Sequence, residues 1–305
     1  MGLIARIDWR RWISILTIVI VVAALAIVVQ VLHQFTLEQI WRSFRRIGPR
    51  ALGLAALCTA ASYLSLTCFD RIGVAYAKAK LPYRRVALAA FVSLSIGHTV
   101  GLAPFSSGAI RYRYYSSWGL DVRQIGLIVM LSAVTVAMGE LTLSAVALLA
   151  QPELVDRVLK TSRLFGLSLG AAAAALVLAY VVLNLVRRRP FKLGRWSVAL
   201  PGGRLAAAQI GVGLVNYLLV AGALHFLLSA VTPVDYFTTA TAFVLGNLAA
   251  LVTHVPGGLG VLEAVIVTLL PQAEIIGPLI AFRIVYFLAP LCLGSLVFAT
   301  TAWRR

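Results

Sequence analysis

Pro256-Gly257-Gly258-Leu259-Gly260-Val261-Leu262-Glu263 interrupts a long apolar run, and 152 positions earlier Pro104-Phe105-Ser106-Ser107-Gly108-Ala109-Ile110-Arg111 interrupts another. Gly, Pro and Ser together break one helix and cap the next. Each stretch therefore reads as the corner of a broken helix, one within residues 86–118 and one within 236–270. At the same offset Ala90-Phe91-Val92 falls on Ala242-Phe243-Val244, Val100 on Val252 and Gly108 on Gly260. Even the charges correspond in position, Arg111 against Glu263. Working outward, apolar runs at 12–32, 51–69 and 124–150 fall on runs at 164–186, 205–230 and 276–303. The chain thus reads as two repeats, 1–152 and 153–305, each made of span, span, broken segment, span.

Composition agrees. The 305 residues are 61% hydrophobic and 12% charged, against about 25% charged in average soluble proteins. Runs near the roughly 20 residues that cross a bilayer make this an all-α polytopic integral membrane protein. An ordinary soluble enzyme and a disordered basic tail are excluded. The net charge is +17, yet the basic residues sit between apolar runs rather than on one soluble face, which argues against nucleic acid as a partner. The run after Arg6, Arg10 and Arg11 is too long for a signal-peptide core and reads as an uncleaved first span. In 35–48, Leu37, Ile40, Trp41, Phe44 and Ile47 recur at helical spacing opposite Arg42, Arg45 and Arg46, the pattern of a helix lying in the interface plane. Cys58, Cys68 and Cys292 lie in or beside apolar runs without metal or disulfide spacing and read as small buried hydrophobes.

Basic residues also orient the chain. If both broken segments are re-entrant and leave on the side they entered, 19 of the 27 Lys and Arg fall on the side of the two termini, seven on the other, and Arg283 inside a span. If every apolar arm crosses fully, the bias disappears. The re-entrant reading leaves three full spans per repeat, an odd number, so the halves run in opposite orientations. Inverted repeats with broken helices near the midplane are a transporter pattern. Both termini are expected to be cytoplasmic.

A charge at a helix centre in lipid costs about 2.5–3.5 kcal/mol on insertion scales. The intramembrane candidates are Arg111, Arg113, Glu140, Glu263 and Arg283, with His98, His225 and His254. An internal ion pair that only holds helices together is the alternative for the charges, and a satisfied polar core residue for the histidines, His225 above all. Ser106, Ser107 and Gly108, and Gly257, Gly258 and Gly260, lie at two expected helix starts, where unpaired N–H groups and the helix dipole favour an anion. Arginine beside them suits phosphate. Glu263, one turn into its helix, can pair with Arg111 or Arg283 when no ligand is bound, and Glu140 or Glu263 can carry a proton. No metal site or cofactor is expected.

Three motifs then form a set: Ser107-Gly108-Ala109-Ile110-Arg111-Tyr112-Arg113, Val255 to Glu263, and Arg283-Ile284-Val285-Tyr286-Phe287-Leu288-Ala289-Pro290. Together they resemble the lysylphosphatidylglycerol synthase transmembrane family, the flippase-like region of multiple-peptide-resistance factor proteins, over about residues 10–303. The resemblance implies a bacterial cytoplasmic membrane protein that moves an anionic or aminoacylated phospholipid between leaflets, with a role in resistance to cationic antimicrobial peptides. A chain ending at Arg305 is expected to lack the synthase domain. Its cargo stays open among aminoacyl phosphatidylglycerol, another phospholipid, a polyprenyl phosphate and a hopanoid-type lipid. The competing reading is a non-transporting scaffold for a separately encoded lipid-modifying enzyme, with Gly166-x-x-x-Gly170 available for a partner helix or a homo-oligomer. An intramembrane enzyme has little support, since HExxH does not occur and the acidic residues are dispersed.

Overall fold

The computed structural model describes residues 37–100, 103–187, 191–193, 196–253, 258, 260–270 and 275–302. The expected span at 12–32, His254 and Gly257 lie outside the described residues. The described helices are α1 (Leu37–Ile47), α2 (Pro49–Tyr76), α3 (Tyr83–Val100), α4 (Ala103–Ser117), α5 (Val122–Ala150), α6 (Glu153–Leu159), α7 (Arg163–Val186), α8 (Gly203–Leu228), α9 (Tyr236–Thr253), α10 (Val261–Leu269), α11 (Ile276–Phe282) and α12 (Ala289–Ala302). A six-residue π-helical turn, Arg283–Leu288, joins α11 to α12. Among the described residues, six helices are long and apolar enough to cross a membrane: Pro49–Tyr76, Val122–Ala150, Arg163–Val186, Gly203–Leu228, Tyr236–Thr253 and Ile276–Thr301. This is an integral membrane protein. The 29 residues of α5 extend about 43 Å, against a hydrocarbon core of about 30 Å.

Local sequence sets the helix starts. Gly48, at φ 80° and ψ 159°, precedes α2, and Gly202, at φ 80° and ψ 158°, precedes α8. A positive φ at these turns is open to glycine at little steric cost. Asp121 begins α5 with a capping box: its carboxylate accepts the Gln124 N–H at 2.8 Å and its own N–H donates to the Gln124 side chain at 3.2 Å. Ser162 caps α7, its hydroxyl accepting the Phe165 N–H at 3.3 Å.

α2 and α8 pack along one another at the centre. Asn216 on α8 donates to the Ser62 carbonyl (3.0 Å) and to the Ser62 and Ser65 hydroxyls (2.8 and 2.9 Å) on α2. Each flanking helix bridges to the other half. α3 packs on α2 and α12, and α9 packs on α8 and α5. Glycines bring α5 and α8 to backbone contact: a Cβ added at Gly139 would lie 2.5 Å from the Gly213 carbonyl carbon.

α3 and α4 fold back as a hairpin. Gly97 near the end of α3 is so close to α4 that a Cβ there would lie 2.8 Å from Ser107 Cβ. At the opposite end of the pair the Arg85 guanidinium sits 5.8 Å over the Trp118 ring. The end of α2 reaches the same side, where the Tyr76 hydroxyl bonds the Ala199 carbonyl. The end of α12 does too, with Tyr114 and Thr301 hydroxyls 2.6 Å apart. α9 and α10 form a second hairpin, with Gly246 packed against Leu262. Its open end meets the end of α5. Gln151 donates to the Thr238 hydroxyl at 3.2 Å and accepts from Thr241 at 3.0 Å. α6 touches both arms of this hairpin, and α1 packs on α11.

Several expectations need correction. α2 continues seven residues past Phe69, to Tyr76, because Ile72, Gly73 and Val74 still have helices to pack against. The last span is interrupted by the π turn. The 151–163 connection contains α6. The basic connection after α7 carries a short two-stranded antiparallel ribbon, Phe191–Leu193 with Trp196–Val198, in an otherwise helical fold. Gly166 and Gly170 pack inside the molecule, against the Pro152 backbone and Leu149, and do not form a vacant surface for a partner helix.

Candidate functional site

The sequence placed Arg111 at a helix break. α4 in fact begins at Ala103, since proline suits the first turn of a helix and the break therefore falls before Pro104. Ser106, Ser107 and Gly108 are thus inside α4, not at its start. Ser106 Oγ lies 3.5 Å from the Gly97 carbonyl. The Ser107 hydroxyl accepts from Arg111 Nη1 at 2.9 Å.

The rest of the Arg111 fork goes to a residue that the sequence reading missed. Arg111 Nε donates to Asp70 Oδ2 at 2.9 Å and Nη2 to Oδ1 at 2.7 Å. The Tyr115 hydroxyl donates to Asp70 Oδ2 at 2.7 Å, and the Ser132 hydroxyl to Oδ1 at 2.8 Å. The Arg111 and Asp70 side chains are 2% and 0% exposed. This cluster ties α2, α4 and α5 together in a low-dielectric interior, with both carboxylate oxygens saturated. The signal lay one residue beyond the drawn end of the second span: an acidic residue flanked by Phe69 and by Ile72 to Ala75. Arg113, two residues along α4 from Arg111, lies with its guanidinium 5.3 Å over Phe298 of α12.

The second break is built from glycine. Gly258 has φ +59° and Gly260 φ +79°, values that disfavour any side chain. Gly260 precedes α10, and Glu263 reaches back so that Oε2 accepts the Gly260 N–H at 3.0 Å. The same carboxylate accepts both prongs of Arg283, at 2.6 Å from Nε and 2.9 Å from Nη2. Nη2 also donates to the Gly258 carbonyl at 2.8 Å. Arg283 opens the π turn, its guanidinium 5.0 Å over Phe287. The turn also exposes its backbone, with the Tyr286 carbonyl accepting from the Tyr63 hydroxyl at 3.3 Å. Glu263 remains 28% exposed where Arg283 is 7%. Of the two partners open to Glu263, the structure selects Arg283.

Glu140 stands apart from both clusters. It lies on α5, 8% exposed, and accepts from Asn247 of α9 at 2.7 Å. His225 bonds Thr239 across α8 and α9 at 3.3 Å, the satisfied polar role expected of it.

Helix by helix, then, two hairpins each carry a charge on the second arm, and each charge is met by a side chain from a full span. A single family model covers residues 13–294. The chain belongs to the family described as the lysylphosphatidylglycerol synthase transmembrane region. Members similar along their whole length include the inner membrane protein YbhN of Escherichia coli, 29% identical over 95% of this chain and 92% of that one. An uncharacterized protein of Synechocystis, slr0712, is 29% identical over 87% of this chain and 84% of its own. The phosphatidylglycerol lysyltransferase of Staphylococcus haemolyticus is 22% identical over 92% of this chain, a match that covers 33% of that longer protein.

Proposed function

We propose that this protein moves an anionic or aminoacylated phospholipid between leaflets and holds its headgroup at the second helix break. The observation that carries the reading is the Glu263 carboxylate. Its oxygens accept from an arginine fork and from a backbone N–H at the start of α10. That is how a phosphate is held by a helix N-terminus and a bidentate arginine. Glu263 is the resident anion of the site, and a lipid phosphate competes with it for Arg283 and the Gly260 N–H. Gly258, with its carbonyl on Arg283, fixes the fork, and Gly257 and His254 are its near neighbours in sequence. Ser106, Ser107, Gly108, Arg111 and Arg113 hold the opposing hairpin in place, and the headgroup passes between the two. The acyl tails remain in the bilayer.

Membership of the family supports lipid as the substrate class, since a relative bears the name phosphatidylglycerol lysyltransferase. The packing is compatible with two inverted repeats whose hairpins are re-entrant. α2 and α8 begin on glycines of matching φ and ψ. The end joining α3 to α12 gathers Lys78, Lys80, Arg84, Arg85 and Arg123, and we assign it to the cytoplasm. The other end carries α1, whose exposed Trp41, Arg42, Arg45 and Arg46 suit the outer headgroup layer. The purified protein in liposomes with fluorescently tagged phosphatidylglycerol tests this reading. Tagged lipid of the inner leaflet is expected to become accessible to an outside quencher faster than in protein-free liposomes. Equal rates would reject it.

A further inference from the structure

One buried acid has no role in either charge cluster. Glu140 Oε2 accepts from Asn247 Nδ2 at 2.7 Å, and the Tyr217 phenol is a second hydrogen-bonding neighbour. Its other oxygen, Oε1, has no hydrogen-bond partner in the structure. The contact of Gly139 with Gly213 presses this level of α5 against α8, so water has little room to make good the deficit. An ionised carboxylate with an unfilled oxygen is expensive in such a place, whereas a carboxylic acid turns that same oxygen into a donor. Tyr217, on α8, lies beside it.

The neighbours define what can act on this group. α8 brings the Tyr217 phenol, and α9 brings the neutral amide of Asn247. α2 and α4 bring Asp70 and Arg111, but these pair with each other against Ser132, about 12 Å away along α5. The α7 phenol, Tyr180, bonds Gln209. Thus, among the described residues, no basic side chain is bonded to Glu140.

Asn247 lies on α9, the first arm of the hairpin whose second arm carries Glu263. The charge on Glu140 therefore sets how firmly the hairpin is held to α5, because a hydrogen bond to a carboxylate is roughly twice as strong as one to a neutral acceptor. We propose that Glu140 takes up one proton per transport cycle from one aqueous side and releases it to the other, coupling hairpin movement and lipid transfer to a proton gradient. This inference rests on the transport reading above. The step is proton binding alone: carboxylate plus proton gives carboxylic acid, and the reverse. A sodium ion needs several oxygens converging on it. Asn247 presents its NH2 group here, and no cluster of three His, Cys, Asp or Glu exists among the described residues.

The test uses sealed proteoliposomes with tagged phosphatidylglycerol, in sodium-free buffer, with a pH-sensitive dye inside. A gradient of one pH unit biases proton occupancy about tenfold, so the wild type is expected to drive tagged lipid toward one leaflet, up to about that ratio. Lipid movement should carry protons that the dye reports. Glu140→Gln keeps the Asn247 contact and is expected to equilibrate lipid without responding to the gradient or moving protons. A gradient response unchanged in Glu140→Gln overturns the proposal, and so does a response that requires sodium. If the wild type moves no lipid at all, the transport reading itself fails. Infrared difference spectra of the protein in detergent test protonation separately. A carboxylic acid carbonyl band that grows on acidification, shifts in Asn247→Leu and is missing in Glu140→Gln is expected. A wild type without any band sensitive to Asn247→Leu overturns the assignment.

Discussion

The two hairpins carry opposite charges on their second arms and treat them differently. Arg111 in the first is enclosed by Asp70, Ser107 and the neighbours of Asp70, with almost no exposure. Glu263 in the second shares its carboxylate between Arg283 and a backbone N–H on a glycine loop and is still partly exposed. The first arrangement is saturated: every polar atom of the pair has partners, and nothing is left to bind a ligand without first breaking the cluster. The second is exchangeable, because an incoming phosphate offers Arg283 and Gly260 what Glu263 already gives them. The backbone follows the same division. α4 carries Pro104 in its first turn, whereas α10 follows Gly258 and Gly260, both with positive φ. We read the first hairpin as the pinned side of the pathway and the second as the side that changes partners.

This contrast can be broken most sharply at Asp70. Asp70→Ala leaves Arg111 buried without a counter-ion, and removing one partner of a buried pair costs about 3–5 kcal/mol. Little monodisperse protein should survive heating, as followed by size-exclusion chromatography. Replacing both partners, Asp70→Leu with Arg111→Met, should recover much of that loss. If Asp70→Ala melts like the wild type, the pair is not a pin. Gly213→Ala comes next. Its Cβ would lie 2.7 Å from the Thr135 carbonyl and 2.9 Å from Gly139 Cα, overpacking worth about 1–3 kcal/mol. The expected result is a lower unfolding temperature together with a weakened Glu140–Asn247 contact. At the second hairpin, Glu263→Gln keeps an acceptor for the Gly260 N–H but removes the charge that competes for Arg283. Its stability should fall by less than that of Asp70→Ala, because Glu263 is partly exposed and glutamine still offers Arg283 an acceptor. The variant should co-purify with more anionic lipid than the wild type, measured by mass spectrometry. The smallest effect is expected at Asp235→Ala. Asp235 accepts from the Thr238 hydroxyl and N–H at the start of α9, and these bonds hold its carboxyl below the ordinary range. Loss of such a cap costs about 1 kcal/mol and should appear as faster hydrogen exchange in the first turn of α9.

Much of the second site was legible in the sequence. Two glycines, a glutamate one turn into the helix and an arginine in the last span form a local pattern whose chemistry does not depend on knowing the packing. The first cluster was legible only by half. Arg111 stood out as a charge beside a break, but Asp70 was hidden because a charged residue in a buried helix looks like the end of a hydropathic span. Its role depends on Arg111, Tyr115 and Ser132 arriving from elsewhere in the chain. Asn247 and Tyr217 were hidden for a related reason. Neutral polar residues on apolar helices give no periodic signal, and they meet Glu140 only because Gly139 and Gly213 let two helices touch. The Gly166 and Gly170 pair gave a small-residue pattern readily visible in sequence, yet whether it faces another helix of the same chain or another molecule is a tertiary fact.

The central claim is that the first charge pair holds and the second exchanges. Unfolding temperature and tagged phosphatidylglycerol exchange, measured on the same preparations of Asp70→Asn and Glu263→Gln, test it most directly. Asp70→Asn should lower the unfolding temperature by several degrees. Glu263→Gln should melt close to the wild type while exchanging lipid at least about tenfold more slowly, as expected if about 1.4 kcal/mol of competition for Arg283 is lost. Lipid exchange at the wild-type rate in Glu263→Gln, or an Asp70→Asn protein as stable as the wild type, would contradict it.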